Sequence, residues 1–461
     1  MKKPRKKKTA GANRQKASKY GPKGLIAALL LVSFVIYAPS IQYDFVNWDD
    51  FQNVKENVNV KDLSWRGIQE IFTSKVMANY NPLPILSFAI EHHFFGMNPA
   101  VFHLNNILLH LVSVFLVFLI CLRLRFSQSV AFLTAGFFAL HPMRVESVVW
   151  ITERKDVLYA AFFFGAVLSY LHYRRAESRK FLLYGLSLVL FVFALFSKIQ
   201  AVSLPLALLA LDYLEKRAWS WSVILEKIPY FIGSLIIGLL GIYFLSEAES
   251  LDTGQTFTFV DRLFIGGFSY LVYLYKLVFP YPMSPLYPYP ATLDWSFYAG
   301  TAFSLALVAF LIVQRNKSGW HMLVSGFLFF TVNVVFMLQI VGAGQGFIAD
   351  RFTYVPYFGL FLSASYYLHQ WLQPKTSSTF RFYAVGGLIL FVYAIWNFSH
   401  HSIWKDGETM WTHVLEHYPK SYTAWSNRGQ WRRENDKLQG ALQDYSMSLK
   451  LRPEQGDIYN G

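Results

Sequence analysis

The chain has 461 residues, of which 54% are hydrophobic and 15% charged, and its mean hydropathy is +0.31. Soluble domains carry roughly 25% charged residues, so the composition excludes an ordinary soluble globular protein and points to a polytopic membrane protein. The net charge of +14 is concentrated at the start, where Met1 to Gly24 holds ten Lys/Arg and no acid. That segment (1–23) has no aromatic interleaving and leads straight into an apolar run. It reads as a tail held on the cytoplasmic side by the positive-inside rule, not as a nucleic-acid contact. The single Cys121 lies in an apolar run and supports neither a disulfide nor a cysteine metal cluster.

The first apolar run, 24–40, lacks a small-residue cleavage site and is predicted to be an uncleaved span. An outer loop follows at 41–100 and opens with VNWDDFQNV. Further runs lie near 101–122, 128–141, 156–173, 181–196, 199–214, 228–246, 262–280, 297–314, 321–343, 352–372 and 382–399. Their lengths predict helices, because a barrel would alternate over ~10-residue segments. Arg123/Arg125, Arg174-Arg175 with Arg179-Lys180, Lys216-Arg217, Arg315/Lys317 and Lys375/Arg381 mark the cytoplasmic side. Twelve crossings would put Arg315 and Lys317 outside, whereas eleven keep the later basic clusters inside and the C-terminus outside. The expectation is an all-α protein of about 11 transmembrane helices, with one run between 181 and 314 re-entrant or peripheral.

Residues 400–461 change character and read as soluble and helical. Trp425, Gly429, Ala441, Tyr445 and Pro453 stand at positions 4, 8, 20, 24 and 32 of a 34-residue frame, the tetratricopeptide spacing. Pro419 precedes Pro453 by 34 residues and Tyr459 follows Trp425 by 34. The expectation is one complete repeat with a helical neighbour and the start of another, as in a longer array. Arg428, Arg432 and Ser448 depart from the residues usual at their positions.

Ionisable groups at membrane depth are costly and mark function by default. Many fall on the predicted outer side. Asp49 and Asp50 open the first loop, and Glu91, His92 and His93 come later in it. His103, Asn106 and His110 share one helical face. HPMRVESVVWITERKDVL then supplies His141, Arg144, Glu146, Glu153, Arg154, Lys155 and Asp156. Lys198 ends an apolar run, Lys276 sits inside YLVYLYKLVFPYP, and Asp350-Arg351 precede another span. An acid pair can take a proton from a hydroxyl or hold a metal. Embedded Lys and Arg can neutralise a phosphate at the bilayer surface. The alternative for each charge is an interfacial side chain reaching water, and for the histidines a helix-packing hydrogen bond. GAGQG (Gly342–Gly346) reads as a turn and not as a phosphate loop.

The ordered set VNWDDFQNV, GMNPAVFHLNNILLH, FALHPMRVESVVWITERKDVL, FSKIQAVSLPLALLALD, YKLVFPYPMSPLYPYP and ADRFTYVPYFG, followed by the repeat, resembles C-type (GT-C) glycosyltransferases that use polyprenyl-phosphate sugars. More narrowly it resembles the transmembrane and tetratricopeptide-repeat O-mannosyltransferases and their bacterial relatives. The resemblance implies a catalytic module over 24–399 and a repeat segment over 400–461, with the site in the periplasm or lumen. It implies Asp49 as base toward the acceptor, Asp50 as the alternative, and Glu146 shaping the site. It implies Arg154, Lys155 and Arg351, then Lys198 and Lys276, around the donor phosphate. His92, His93, His103, Asn106, His141 and Arg144 are possible lining residues. Asn81-Pro82-Leu83 departs from the Arg-Pro-Leu common in relatives, which puts one contact there in question. The implied reaction is a single inverting displacement that moves a sugar, mannose by resemblance, from a polyprenyl-phosphate donor to a protein Ser/Thr hydroxyl. No obligatory metal is implied. The acceptor protein could use the repeat segment, and a bacterial inner membrane is expected, with the ER membrane as alternative. A lipid-linked sugar transporter or flippase and a non-catalytic repeat scaffold are the rival readings.

Overall fold

The computed structural model describes residues 22–453 apart from 78, 248–256, 318, 343 and 373–379. The basic tail through residue 21, Lys375 and Tyr459 lie outside the described residues. Among the described residues the chain is helical almost throughout. The strands there are β1 (Tyr287–Pro288) and β2 (Gly346–Ile348), paired antiparallel.

The first apolar run forms α1 (Pro22–Tyr37), and the first outer loop contains α2 (Trp65–Thr73) and α3 (Pro82–Phe95). Next come α4 (Pro99–Arg123) and α5 (Gln128–Leu140). Their starts are written in the sequence. The Asn98 side chain accepts from the Ala100 N–H with Pro99 in the first turn, and Ser127 accepts from the Val130 N–H. The charged segment makes a short α6 (Val145–Val149) before α7 (Arg154–Tyr173). Then follow α8 (Lys180–Ser197), α9 (Leu204–Leu214), α10 (Trp221–Leu225), α11 (Ile228–Glu247) and α12 (Phe259–Lys276). The membrane part closes with α13 (Trp295–Gln314), α14 (His321–Val334), α15 (Tyr357–Leu372) and α16 (Phe380–His400).

Seven helical stretches among the described residues are long and apolar enough to cross a membrane, and those at 128–140, 199–214 and 321–337 are apolar but shorter. The runs at 262–280 and 352–372 correspond to α12 and α15, which fall in neither group. Eleven crossings therefore go beyond what helix length and hydropathy give. The protein is an all-α, multi-pass membrane protein. Its core is α7: 67% of that stretch is buried, against 6% of the stretch that ends in α11. Ile232, Leu235, Ile236 and Leu239 of α11 are exposed and suited to face lipid. The Ser187 hydroxyl of α8 donates to the Ala166 carbonyl of α7 at 2.7 Å, a close approach that small residues permit.

A 20-residue α7 is about 30 Å long, roughly the thickness of the hydrocarbon core. Charge collects at both of its ends. At the Tyr173 end, Arg174 pairs with Asp212 at 3.0 Å, Arg174 and Arg175 pair with Glu215, and Arg175 donates to the Arg123 carbonyl. Arg217 pairs with Glu226 there, and the Tyr213 hydroxyl donates to the Arg315 carbonyl at 3.3 Å. Arg123, Arg174, Arg175, Arg217 and Arg315 thus share one end of the bundle, as a common cytoplasmic side requires.

The tail consists of α17 (Gly407–His417), α18 (Tyr422–Glu434) and α19 (Leu438–Leu451). The Cβ position of Gly429 lies 2.9 Å from the Tyr445 ring, so the small residue of the 34-residue frame is needed where α18 and α19 close on each other. The departures from the usual residues have a physical account. Arg428 and Arg432 both pair with the buried Asp444, at 2.8 and 2.9 Å, and Ser448 donates to the Tyr422 carbonyl at 2.9 Å. The tail folds back onto the start of the first outer loop. The Asp44 N–H donates to the Lys405 carbonyl at 3.1 Å, and the Asn47 amide donates to the Asn427 carbonyl at 2.7 Å. The Trp411 indole donates to the Asn47 side chain at 3.2 Å.

Gly407 sits in this junction, where an added Cβ would lie 2.0 Å from the Asn47 amide oxygen and 2.4 Å from the Trp431 ring. Gly407→Val is expected to lose about 1–3 kcal/mol by overpacking. Thermal unfolding and limited proteolysis of the full chain check this. The expected outcome is a lower midpoint with cleavage appearing in the tail.

Candidate functional site

The opposite end of α7 carries the second charge layer. Its centre is Glu153, whose side chain is fully buried. One Glu153 oxygen lies 3.1 Å from Lys155 and 3.2 Å from Arg351; the other lies 3.2 Å from Lys198. Lys198 also pairs with Asp156 at 2.6 Å, and Asp156 accepts from Ser147 at 3.0 Å. Arg351 pairs with Glu146, which also accepts the Arg351 backbone N–H at 2.8 Å. Lys155 reaches Asp49 at 3.6 Å. Five segments of the chain thus meet in one continuous network: the first loop, α6, the head of α7, the end of α8 and the loop before α15. Trp150 lies beneath two of its cations, 5.9 Å from Lys155 and 5.4 Å from Arg351, within cation–π range. Trp48 and Trp404 stack on Trp150 at 4.9 and 5.0 Å.

The adjacent acids Asp49 and Asp50 have different surroundings. Asp50 is buried and accepts the Val46 N–H at 3.0 Å, the Thr152 N–H at 2.9 Å and the Thr152 hydroxyl. It joins the first loop to the head of α7. Burial pushes its carboxyl up to about 7 against these three donors. Asp49 retains 19% side-chain exposure beside Lys155 and is the acid of the pair that a substrate can reach. Burial also raises the Glu146 carboxyl above the usual range, with Arg351 opposing the rise.

The five cations expected around a donor phosphate separate into two groups. Arg154 directs all five N–H groups inward, to Asn106, Ser87, both Glu91 oxygens and the Phe102 carbonyl, and is 1% exposed. The three donors of Lys276 go to the Pro282 carbonyl at 2.6 Å, to Asp350 at 2.9 Å and to the Tyr287 hydroxyl. Both are therefore structural fasteners with no donor left for a ligand. Lys155 and Arg351 keep 16% and 17% side-chain exposure and remain reachable, with Lys198 behind them at 9%.

The lining candidates are mostly packed. Asn106 donates to the Trp150 carbonyl at 3.0 Å, and His141 hydrogen-bonds the Leu277 carbonyl at 3.0 Å. Arg144 is fully buried among the rings of Phe138, Tyr354 and Tyr357 and donates to the Thr353 hydroxyl at 2.7 Å. His103 is buried edge-on to Tyr43. His92 and His93 close the C-terminal end of α3, where His93 packs against Phe94, and neither is part of the charge network. A small cleft opens beside Glu146 and is lined also by Asp350, Met283, His400 and Trp404. Glu153, Asp156 and Thr152 are central here although their roles were not expected. The only sequence signal was the dense charge of TERKD.

The fold and this network define a multi-pass, all-α membrane protein whose helical tail is folded against a buried charge cluster. No family model matches the chain. It is similar to the human protein O-mannosyl-transferase TMTC1, with 34% identity over 168 residues that make up 34% of this chain and 19% of the relative. It is also similar to human TMTC4, at 34% over 178 residues, and to Drosophila melanogaster Tmtc1, at 29% over 160 residues, each covering 32% of this chain. The chain thus matches about a fifth of the length of these relatives. These matches support the resemblance to the transmembrane and tetratricopeptide-repeat O-mannosyltransferases.

The Asp50 environment gives a pH signature. A carboxyl whose folded pKa is raised contributes stability that is present at low pH and is lost as pH rises through the folded value, here about 7. Asp50→Asn is neutral throughout. The melting temperature of the wild type minus that of Asp50→Asn is therefore expected to fall between about pH 4 and about pH 7 and to level off above. A difference that stays flat with pH would count against this assignment.

Proposed function

We propose that the protein is a membrane glycosyltransferase that moves a sugar, mannose by similarity to its relatives, from a polyprenyl-phosphate to a Ser/Thr hydroxyl of a protein. The observation that carries this reading is the position of Asp49. It is the accessible carboxylate of the network, held beside a lysine on the face opposite the basic clusters. In this reading the site faces the periplasm or the ER lumen.

The chemistry follows from the pairing. A donor phosphate entering the network takes Lys155 and Arg351 as counter-ions. Lys155 then turns from Asp49 toward the phosphate, and the Asp49 carboxylate is released to accept a proton. The acceptor oxygen attacks the anomeric carbon, its proton passes to Asp49, and the carbon–phosphate oxygen bond breaks with inversion. The leaving group departs already ionised, so cations and not a general acid stabilise it. Glu146 holds Arg351 in place through both its backbone N–H and its guanidinium. The contact of the tail with the start of the loop that carries Asp49 supports a role for it in receiving the acceptor chain.

The test is transfer of radiolabelled mannose from polyprenyl-phosphate-mannose to a Ser/Thr-rich peptide by the purified full chain. Asp49→Asn is expected to lower turnover by at least about 100-fold with the melting temperature retained. Lys155→Gln is expected to lower kcat/KM for the donor by about 10- to 100-fold, the value of a charge-assisted hydrogen bond. Movement of the unchanged lipid across vesicles, with no transfer to any acceptor, would replace this reading with a transporter.

A further inference from the structure

HVLEH in α17 places His413, Glu416 and His417 three and four residues apart, on one face of the helix. Their ligand atoms all lie within 4.8 Å of one another. His413 Nδ1 is 3.8 Å from a Glu416 carboxylate oxygen. Two ligands on one tetrahedral zinc, at ~2.0–2.1 Å each, stand about 3.4 Å apart, so small side-chain rotations close the set. The ring centres of His413 and His417 already lie 4.6 Å apart, with the planes tilted by 46°.

The second ring nitrogens strengthen the case. His413 Nε2 lies 2.9 Å from the Met283 carbonyl, and His417 Nδ1 lies 3.0 Å from the His413 carbonyl. A carbonyl only accepts, so each of these nitrogens carries the hydrogen. The lone pairs then fall on His413 Nδ1 and His417 Nε2. Metal-bound histidines are oriented in this way, by a carbonyl on the opposite ring nitrogen.

We propose that His413, Glu416 and His417 form a three-ligand site for a zinc-class divalent cation, with the fourth position open to solvent. Two imidazoles and a carboxylate suit zinc better than magnesium or calcium, which favour oxygen ligands. Glu416 is exposed and both histidines are half-buried, so an ion has access. The Met283 carbonyl that orients His413 belongs to the wall of the cleft beside Glu146 and Asp350. A bound cation would therefore fasten α17 to that wall and stiffen the contact between the tail and the membrane part. The proposal is independent of the transferase reading, because it uses neither Asp49 nor its cations.

The experiment is a cobalt titration of the full chain, purified in detergent with an affinity tag free of histidine, followed by displacement with zinc. The expected result is one equivalent of Co²⁺ with a visible absorption band of low coordination number, displaced by zinc. Binding is expected to weaken by at least about tenfold in His417→Ala and in Glu416→Gln. Zinc is also expected to raise the melting temperature of the wild type and leave that of His417→Ala unchanged. An absorption band and affinity that are the same in His417→Ala as in the wild type would overturn the site. So would the failure of wild-type protein to bind either metal at sub-millimolar concentration.

Discussion

The buried carboxylate of Glu153 is the constraint on which the rest of this site depends. A fully buried charge at the head of a membrane helix is tolerated only if opposite charges reach it. Lys155, Lys198 and Arg351 do so from three different parts of the chain, and each in turn meets a second acid. The loops on this face are therefore positioned by charge neutralisation more than by regular secondary structure. Removing one of its fully buried members strands another in a poorly solvated place, whereas the partly exposed Asp49 lies at the edge of the network. Removal of one partner of a buried pair typically costs about 3–5 kcal/mol.

Within that frame, neighbouring residues divide their tasks by direction. Asp50 points inward and ties the first loop to Thr152, while Asp49 points toward Lys155. Arg154 points into α3 and α4, while Lys155 faces the site. The stack of Trp48, Trp150 and Trp404 fills the space between the first loop, the head of α7 and the start of the tail. It supports two cations without adding a competing charge.

Much of this was legible in the sequence, and the gaps have physical causes. The apolar runs, the acid pair, the dense charge of TERKD and the 34-residue frame all follow from residue type and spacing. Rotation about a helix axis does not. Successive residues on a helix point about 100° apart, so Arg154 and Lys155 look equivalent in the sequence but face different neighbours. The length of an apolar run does not fix the number of crossings, for a related reason. The 13-residue α5 is packed among other helices and does not need the length of a lipid-exposed span. Arg428 and Arg432 looked like departures from the frame because the buried acid they share, Asp444, lies on the next helix. His413, Glu416 and His417 carry no signal in the sequence, because three such side chains on a single helical turn have no second cluster to mark them.

The contact between the first loop and the tail also bears on how the molecule is made. Asn47 hydrogen-bonds a residue 380 positions later in the chain. At ~5–20 residues per second, the loop waits roughly 20–80 s before its covering helices emerge. During that interval Trp48 lacks its contact with Trp411, and Asn47 lacks Trp411 and Asn427. The face that carries Asp49 thus receives its covering helices α17 and α18 only after α1 to α16 have been made.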